Sequence, residues 1–434
     1  MMRIPTVRFA LLAVAAAVLA GCSRERPGGP VEVVYWTGWS HDEQDLQQKL
    51  VDEFNSAHPD VHVRLLGEST GSGTYQKVRI AFAGDATPEL MSTIWAEELT
   101  GYAMRGVLEP LDDYLKESGR DVDREYTPGV AKMLKVNGHV YALAVTTNTN
   151  LFVYNKGIFR QVGLDPDRPP QTIAELDEAA KKCTLTRKDG SFVRYGFRPT
   201  GLPMWAYVFG GQWYDEKTGR ITANDPHNVA ALKWMCTYSK NYDIQRMQAF
   251  ESAFGQEQST NASFFVGKQA MWPTGEWSES FIKRYADKDL DWGFFALPAP
   301  PGGRRNVTMS GGSVFVIPRA CKHKKETWEF LNWLTQPKQV ARFCLGIHNV
   351  PPTLEAAKDP GFQSSPLFRF AIKIAQGKNA FPAPPIPIWT TYVTEIGRTE
   401  EKATLGGEDP QALLDDLQAR MSKELEKAWE DLKR

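Results

Sequence analysis

The sequence predicts an α/β protein of two lobes, each a mainly parallel sheet flanked by helices, with a hinge of about three chain crossings and a cleft between the lobes. Three observations carry that expectation. The chain has 434 residues, and a single hydrophobic core stops growing at roughly 250 to 300 residues. After the amino terminus, strand and helix alternate, the pattern of a parallel, helix-covered sheet. Between residues 142 and 150, and again between 299 and 312, the sequence turns polar or Pro- and Gly-rich between apolar strands, as a chain leaving one sheet for another does.

The amino terminus is read apart from the fold. Arg3 and Arg8 form a positive region, and Phe9 to Ala20 is an uncharged apolar run. It is too short to span a bilayer as a mature helix, which needs about 20 apolar residues, and reads as a signal peptide over residues 1–21. Leu19-Ala20-Gly21-Cys22 resembles the bacterial lipobox, in which the cysteine is lipidated and becomes the first mature residue. A plain secretory peptide is the alternative. Acyl chains on Cys22 would anchor the protein to a membrane, with residues 22–30 as a short tether. No later segment has 18 uninterrupted apolar residues, so the rest is expected in water in the cell envelope, on the outer face of the cytoplasmic membrane or in the periplasm.

The elements follow in order. Val31 to Tyr35 is an apolar strand ending in the loop Trp36-Thr37-Gly38-Trp39-Ser40. Leu46, Leu50, Phe54 and Ala57 then share one helical face, with acidic residues in the first turn and Pro59 past the end. Val61 to Leu66 is a strand, Tyr75 to Ala83 a helix, Leu90 to Ile94 a strand, and Glu97 to Arg105 a helix. In such sheets, ligands bind beyond the carboxyl ends of the strands, where Trp36, Trp39, Glu68 and Trp95 fall. HVYALAV, TTNTN and LFVYNKGIF then read as a strand leaving one lobe, a polar crossing, and a strand entering another. Thr172 can cap the helix TIAELDEAAKKC. PPGGRRNVTMSGG leads back through SVFVIP to the helix KKETWEFLNWLTQ, and a long helix closes the chain from Pro410 to about Leu432.

Composition narrows the chemistry. The 42% hydrophobic content excludes a disordered chain, and Lys+Arg 51 against Asp+Glu 52 offers no footprint for nucleic acid. Trp (13) outnumbers His (7), which favours a site built from aromatic faces over acid-base or metal chemistry. HExxH, GxxxxGK[ST] and a GxGxxG opening a helix are all missing from the sequence, and neither metal nor cofactor is expected. Cys183, Cys236, Cys321 and Cys344 remain after the signal peptide. Buried thiols and two pairs, Cys183 with Cys236 and Cys321 with Cys344, both stay open.

Several segments resemble one family, the extracellular solute-binding proteins of bacterial ABC sugar importers, the group that includes maltose-binding protein. They are AFAGDATPELMSTIWAEELTGYAMRGVLEPLDDYL, VNGHVYALAVTTNTNLFVYNKGIFRQVGLDPDRPPQTIAEL, FFVGKQAMWPTGEW and SGGSVFVIPRACKHKKETWEFLNWLT. The resemblance runs through nearly the whole mature chain. It implies a two-lobed periplasmic-binding-protein fold, with one lobe at 31–142 and 312–355 and the other at 143–311 and 356–434. It also implies capture of a sugar and delivery to a permease by a monomer whose hinge closes over the ligand; hinge closure of such proteins is a standard example of domain motion.

A sugar presents apolar C–H faces and polar hydroxyls, so its cleft needs aromatic planes and a few fixed polar groups. Trp36, Trp39, Trp95, Trp272 and Trp277 are the stacking candidates, with Trp205 and Trp389 as further cleft walls. Glu68, Glu97, Thr147, Asn148 and Glu276 are the hydroxyl-binding candidates. Glu276 stands in a Gly-x-Trp segment where the family commonly has Pro. Gly311 and Gly312 allow close backbone approach, while Trp234, Trp328 and Trp333 lie on helical faces and are assigned to the core.

Two rivals stand beside that reading. Gly67-Glu68-Ser69-Thr70-Gly71 matches Gly-x-Ser-x-Gly between a strand and a helix, so a secreted lipoprotein serine hydrolase with Ser69 as nucleophile and His323 or His348 as base is the enzyme alternative. A ligand other than sugar, such as a glycerophosphodiester or a peptide, is the other; Arg304-Arg305 in the crossing loop would suit an anion. The lipobox makes the first test: Cys22→Ser should abolish incorporation of labelled palmitate and release the protein from the membrane fraction.

Overall fold

The computed structural model describes residues 29–67 and 72–433. Cys22, Glu68 and Ser69 lie outside the described residues. In chain order the elements that position the site are β1 (Val31–Thr37), α1 (His41–Ala57), β2 (Val61–Gly67), α2 (Ser72–Ala83), β3 (Leu90–Trp95) and α3 (Ala96–Met104). They continue with β4 (Leu143–Ala144), β5 (Asn150–Asn155), α4 (Ile173–Cys183), β6 (Met271–Gly275), α5 (Ser278–Tyr285) and β7 (Trp292–Phe295). The remainder are β8 (Thr308–Ser310), β9 (Ser313–Val316), α6 (Lys324–Leu334), α7 (Pro337–Ile347), β10 (Ala380–Pro382), α8 (Trp389–Thr404) and α9 (Pro410–Asp431).

The first lobe is a five-stranded sheet in the order β2-β1-β3-β9-β4. β1 runs parallel to β2 and β3, and β9 runs antiparallel to both β3 and β4. Leu50, Val51 and Phe54 of α1 are buried against the sheet, as their helical spacing requires. Tyr35 of β1 meets Phe315 and Phe330 on the same face. The HVYALAV segment is two short strands rather than one. Val136 pairs with His139 across the turn Asn137-Gly138, both residues at positive φ, and Leu143 then changes partner to Phe315. Asn-Gly is the dipeptide that such a hairpin favours.

The second lobe is built on β6-β5-β7. Here the expectation of a mainly parallel sheet is corrected, because β5 is antiparallel to both neighbours. Leu151 to Asn155 are all buried, and a strand covered on both faces reads as a continuous apolar run whatever the direction of its neighbours. α4 opens with a reciprocal capping box between Thr172 and Glu175.

Two large cores result. The first gathers residues from Val33 to Val145 and from Val314 to Ile347, the second from Phe152 to Val307 and from Ile386 to Leu425. A smaller cluster between Val340 and Ala375 lies where the chain passes the last time. The chain therefore changes core three times. Cys183, Cys236, Cys321 and Cys344 are free and buried, the first two in the second core, Cys321 in the first and Cys344 in the smaller cluster, so neither expected pair is formed.

At the second crossing Gly312 holds φ +126, and a Cβ there would lie 2.5 Å from the Thr146 carbonyl oxygen. Both the backbone conformation and the space exclude a side chain. Gly312→Ala should cost more than ~1 kcal/mol of stability, read as a lower urea midpoint.

Candidate functional site

Because β1, β2 and β3 run parallel, their carboxyl ends lie on one edge of the first lobe, where the chain returns at β9. Between them is a cavity of about 180 Å³ lined by Gly38, Trp39, Ser40, Glu43, Ser92, Thr93, Trp95 and Ser313. Its floor is a hydrogen-bond network. Tyr35 OH and Ser92 Oγ are 2.7 Å apart, Ser92 Oγ donates to Thr37 Oγ1 at 3.3 Å, and Thr37 Oγ1 donates to Gln47. Thr37 Oγ1 also accepts from the Trp39 amide at 3.2 Å, which fixes the loop carrying that indole. Ser313 Oγ donates to the Ser92 carbonyl at 3.2 Å and ties β9 into the same floor.

Trp39 packs edge to face on Phe343, with ring centroids 5.7 Å apart. Its Nε1 and the Thr93 Oγ1 are buried without a hydrogen-bond partner among the described residues. Such orphaned groups are costly unless something fills the site. Burial pushes the Glu43 carboxyl above its ordinary range. Glu43, Ser40, Ser92, Thr93 and Ser313 escaped the sequence reading. The polar residues of LMSTIW towards a strand's carboxyl end are the signal that points to Ser92 and Thr93.

Trp95 precedes α3, whose first turns also border a larger groove of about 610 Å³ between the lobes. Glu97, Glu98 and Tyr102 line one wall; Ile388, Thr390 and Lys427 are among the residues of the other. The first wall belongs to the first core, the second to α8 and α9 of the second. Burial pushes Glu98 up to about 7, with Glu97 adding to the shift and Arg79 opposing it.

Across the gap, Trp277 precedes α5. Its ring lies so close over Gly275 that a Cβ there would sit 2.0 Å from it, and its Nε1 donates to Glu257 at 3.3 Å. Glu257 lies beside Trp272 in a second small cavity, of about 190 Å³. Arg284 of α5 reaches Asp42 of α1 at 2.7 Å, so the elements that follow Trp39 and Trp277 meet across the lobes.

Trp39, Trp95 and Glu97 thus border the first-lobe side of the gap, and Trp272 and Trp277 lie on the second lobe. The other candidates lie elsewhere. Trp36 is on the opposite face of β1 from Tyr35, with Lys77 Nζ 4.6 Å from its ring centroid. Trp205 is 0% exposed, enclosed by Phe152, Phe197 and Trp234, and is a core residue rather than a cleft wall. Trp389 borders the interlobe groove but is 2% exposed and packed edge-on against Tyr392, which leaves no face for stacking. Thr147 is buried and its amide donates to the Val350 carbonyl. Asn148 Oδ1 accepts from the Gly311 amide at 3.0 Å. Glu276 is 0% exposed, with both carboxylate oxygens taken by backbone amides, and is closed to ligand. These three hold the hinge.

Two residues of the rival readings, His323 and Arg304, are engaged within the fold. His323 pairs with Glu89 at 2.5 Å, just before β3 and so at the amino-end edge of the sheet. Arg304 is spent in the second lobe, donating to the carbonyls of Tyr207 and Gly211 and lying over Phe381.

The family model for bacterial extracellular solute-binding protein matches residues 38–341. A maltotriose-binding protein of Pyrococcus abyssi is 25% identical over 352 residues, covering 80% of this chain and 72% of its own. An sn-glycerol-3-phosphate-binding periplasmic protein of Yersinia enterocolitica is 24% identical over 353 residues, 76% of this chain and 77% of that one. The solved structure of CpMnBP1 with mannotriose bound is 29% identical with a TM-score of 0.79, over 90% of this chain and 99% of that chain.

The half-buried Glu98 supplies a test of this site's electrostatics. Its folded value lies above the unfolded one, so its favourable contribution is present below the ordinary carboxylate range and lost as pH rises through about 7. Glu98→Gln should raise the Tm at pH 8, and the gap to wild type should close towards pH 5.

Proposed function

We infer that this chain, which belongs to the bacterial extracellular solute-binding protein family and so is a substrate-binding protein of ABC transporters, captures a neutral sugar or oligosaccharide and delivers it to a permease. One observation carries the reading. The first-lobe cavity combines two indoles, Trp39 and Trp95, with the hydroxyls of Ser40, Ser92, Thr93 and Ser313, and its lining holds no Lys or Arg. Indole faces suit C–H surfaces, and hydroxyls both donate and accept, as sugar hydroxyls do. A phosphate-bearing ligand would meet Glu43 and no Lys or Arg in this cavity, the wrong charge for it.

In this reading the interlobe groove extends the small cavity enough for more than one sugar ring. Trp277, resting on Gly275 and held by Glu257, is the second lobe's platform. Closure brings it against a ligand already seated on the first lobe, and contacts from both lobes stabilise the closed state. The loaded monomer, anchored through lipid on Cys22, then docks on its permease.

Titration with mannotriose, maltotriose and glycerol 3-phosphate, followed by tryptophan fluorescence, tests the assignment. At least one saccharide should give saturable binding, weakened by about tenfold in each of Trp39→Ala and Trp95→Ala. Saturation by glycerol 3-phosphate with neither saccharide active would exclude a sugar ligand.

A further inference from the structure

Glu276 follows β6 and immediately precedes Trp277, yet its side chain turns into the hinge. Oε2 accepts from the Thr149 amide at 2.8 Å, and Oε1 accepts from the Val350 amide at 3.1 Å and from Asn349 Nδ2 at 3.5 Å. Thr149 belongs to the first crossing between the cores, and Asn349 and Val350 to the third. One carboxylate beside the second lobe's aromatic platform therefore grips two of the three strands of chain that join the lobes. The bridge between Thr147 and Val350 lies next to it.

All three partners are donors. A carboxylate can accept from each of them, whereas a carboxylic acid would turn its own O–H towards an N–H and lose one. Among the described residues no cation faces this carboxylate to offset its burial, and desolvation pushes it up to about 7 against the pull of its hydrogen bonds. The other titratable groups around it do not take over its role. The Cys344 thiol of α7 is pushed up by burial and then by the charge of Glu276. His348, which caps α7, is held low by burial, with Lys283 and Arg284 adding to the effect and Glu279 opposing it.

We propose that Glu276 is a positioning residue for ligand capture, whose carboxylate locks the Trp277 platform to the first and third crossings in the ligand-binding arrangement and whose acid form releases one of them. The inference rests on the closing-cleft reading above. Its sign follows from the donors. The strapped hinge offers the charged form three N–H groups, and a loosened hinge that stays dry offers fewer. The loosened hinge therefore binds the proton more tightly, and low pH favours it.

The experiment measures mannotriose and maltotriose affinity of the full-length chain in detergent across the pH range around 7, together with the ligand-free interlobe distance from a pair of spin labels. Wild type should lose affinity roughly three- to tenfold as pH falls, the scale of one net hydrogen bond, with a midpoint near 7. Glu276→Gln keeps the shape but turns an NH₂ towards the amides, so it should show the low-pH affinity at every pH. Glu276→Asp is too short to reach both crossings and should be weakened as well. Affinity independent of pH in wild type, or pH dependence retained in Glu276→Gln, would overturn the proposal. So would tighter binding at low pH, because it would mean that the loosened hinge hydrates the carboxyl. If Glu276→Gln does not fold, carboxyl-carbon NMR of wild type decides: the Glu276 carboxyl and the amides of Thr149 and Val350 must titrate together. If neither saccharide binds, the sugar assignment fails, while the interlobe distance still has to shift with the same midpoint or the hinge proposal fails with it.

Discussion

A chain that passes three times between two cores carries backbone amides and carbonyls through places where no sheet can pair them. Each such group left buried and unpaired costs about 1–3 kcal/mol. The crossings meet this constraint with side chains. Asn148 Oδ1 takes the Gly311 amide, Asn150 Oδ1 takes the Met309 amide, and Thr308 Oγ1 takes the Asn150 amide. Glu276 takes Thr149 and Val350. The polar run TTNTN, set between two apolar strands, is the set of groups that binds one crossing to the others. These bonds tie the crossings to one another and to the lobes they join.

The binding surfaces are held in the same way. The Trp39 loop is held from below by Thr37, and Thr37 by Ser92 and Gln47, so the indole is placed before any ligand arrives. Trp277 is held by Gly275 beneath its ring and Glu257 at its nitrogen. Preorganisation of this kind lowers the ordering cost of binding. The interlobe pairs Asp42–Arg284 and Lys132–Glu216 are solvent-exposed. Exposed pairs contribute little, so they guide the approach of the lobes more than they hold it.

Much of the architecture was legible in the sequence because periodicity and capping are local. The buried face of α1, the capping box at Thr172 and the close of the last helix near Leu432 all follow from residues a few positions apart. Part of the candidate site was legible for a related reason. A residue just past a parallel strand's carboxyl end lies at the cleft whatever its neighbours do, which located Trp39 and Trp95. Thr147, Asn148 and Glu276 were misread because a polar residue beside a cleft and a polar residue inside a hinge look alike in one dimension. Trp205 and Trp389 were misread because a short apolar segment does not say which side of it is covered.

What the sequence by itself determined is the type of molecule: two α/β lobes and a chain that crosses between them. Hydrophobic pattern and turn chemistry suffice for those, since each depends on near neighbours. Only the tertiary structure decided the direction of the strands beside β5, the faces that the tryptophans expose, and the partner of every buried polar group. Those depend on residues more than a hundred positions apart, as Thr149 is from Glu276 and Asn148 from Gly311. Whether a carboxylate meets a ligand or a backbone amide is settled by which of these arrives beside it once both cores have formed.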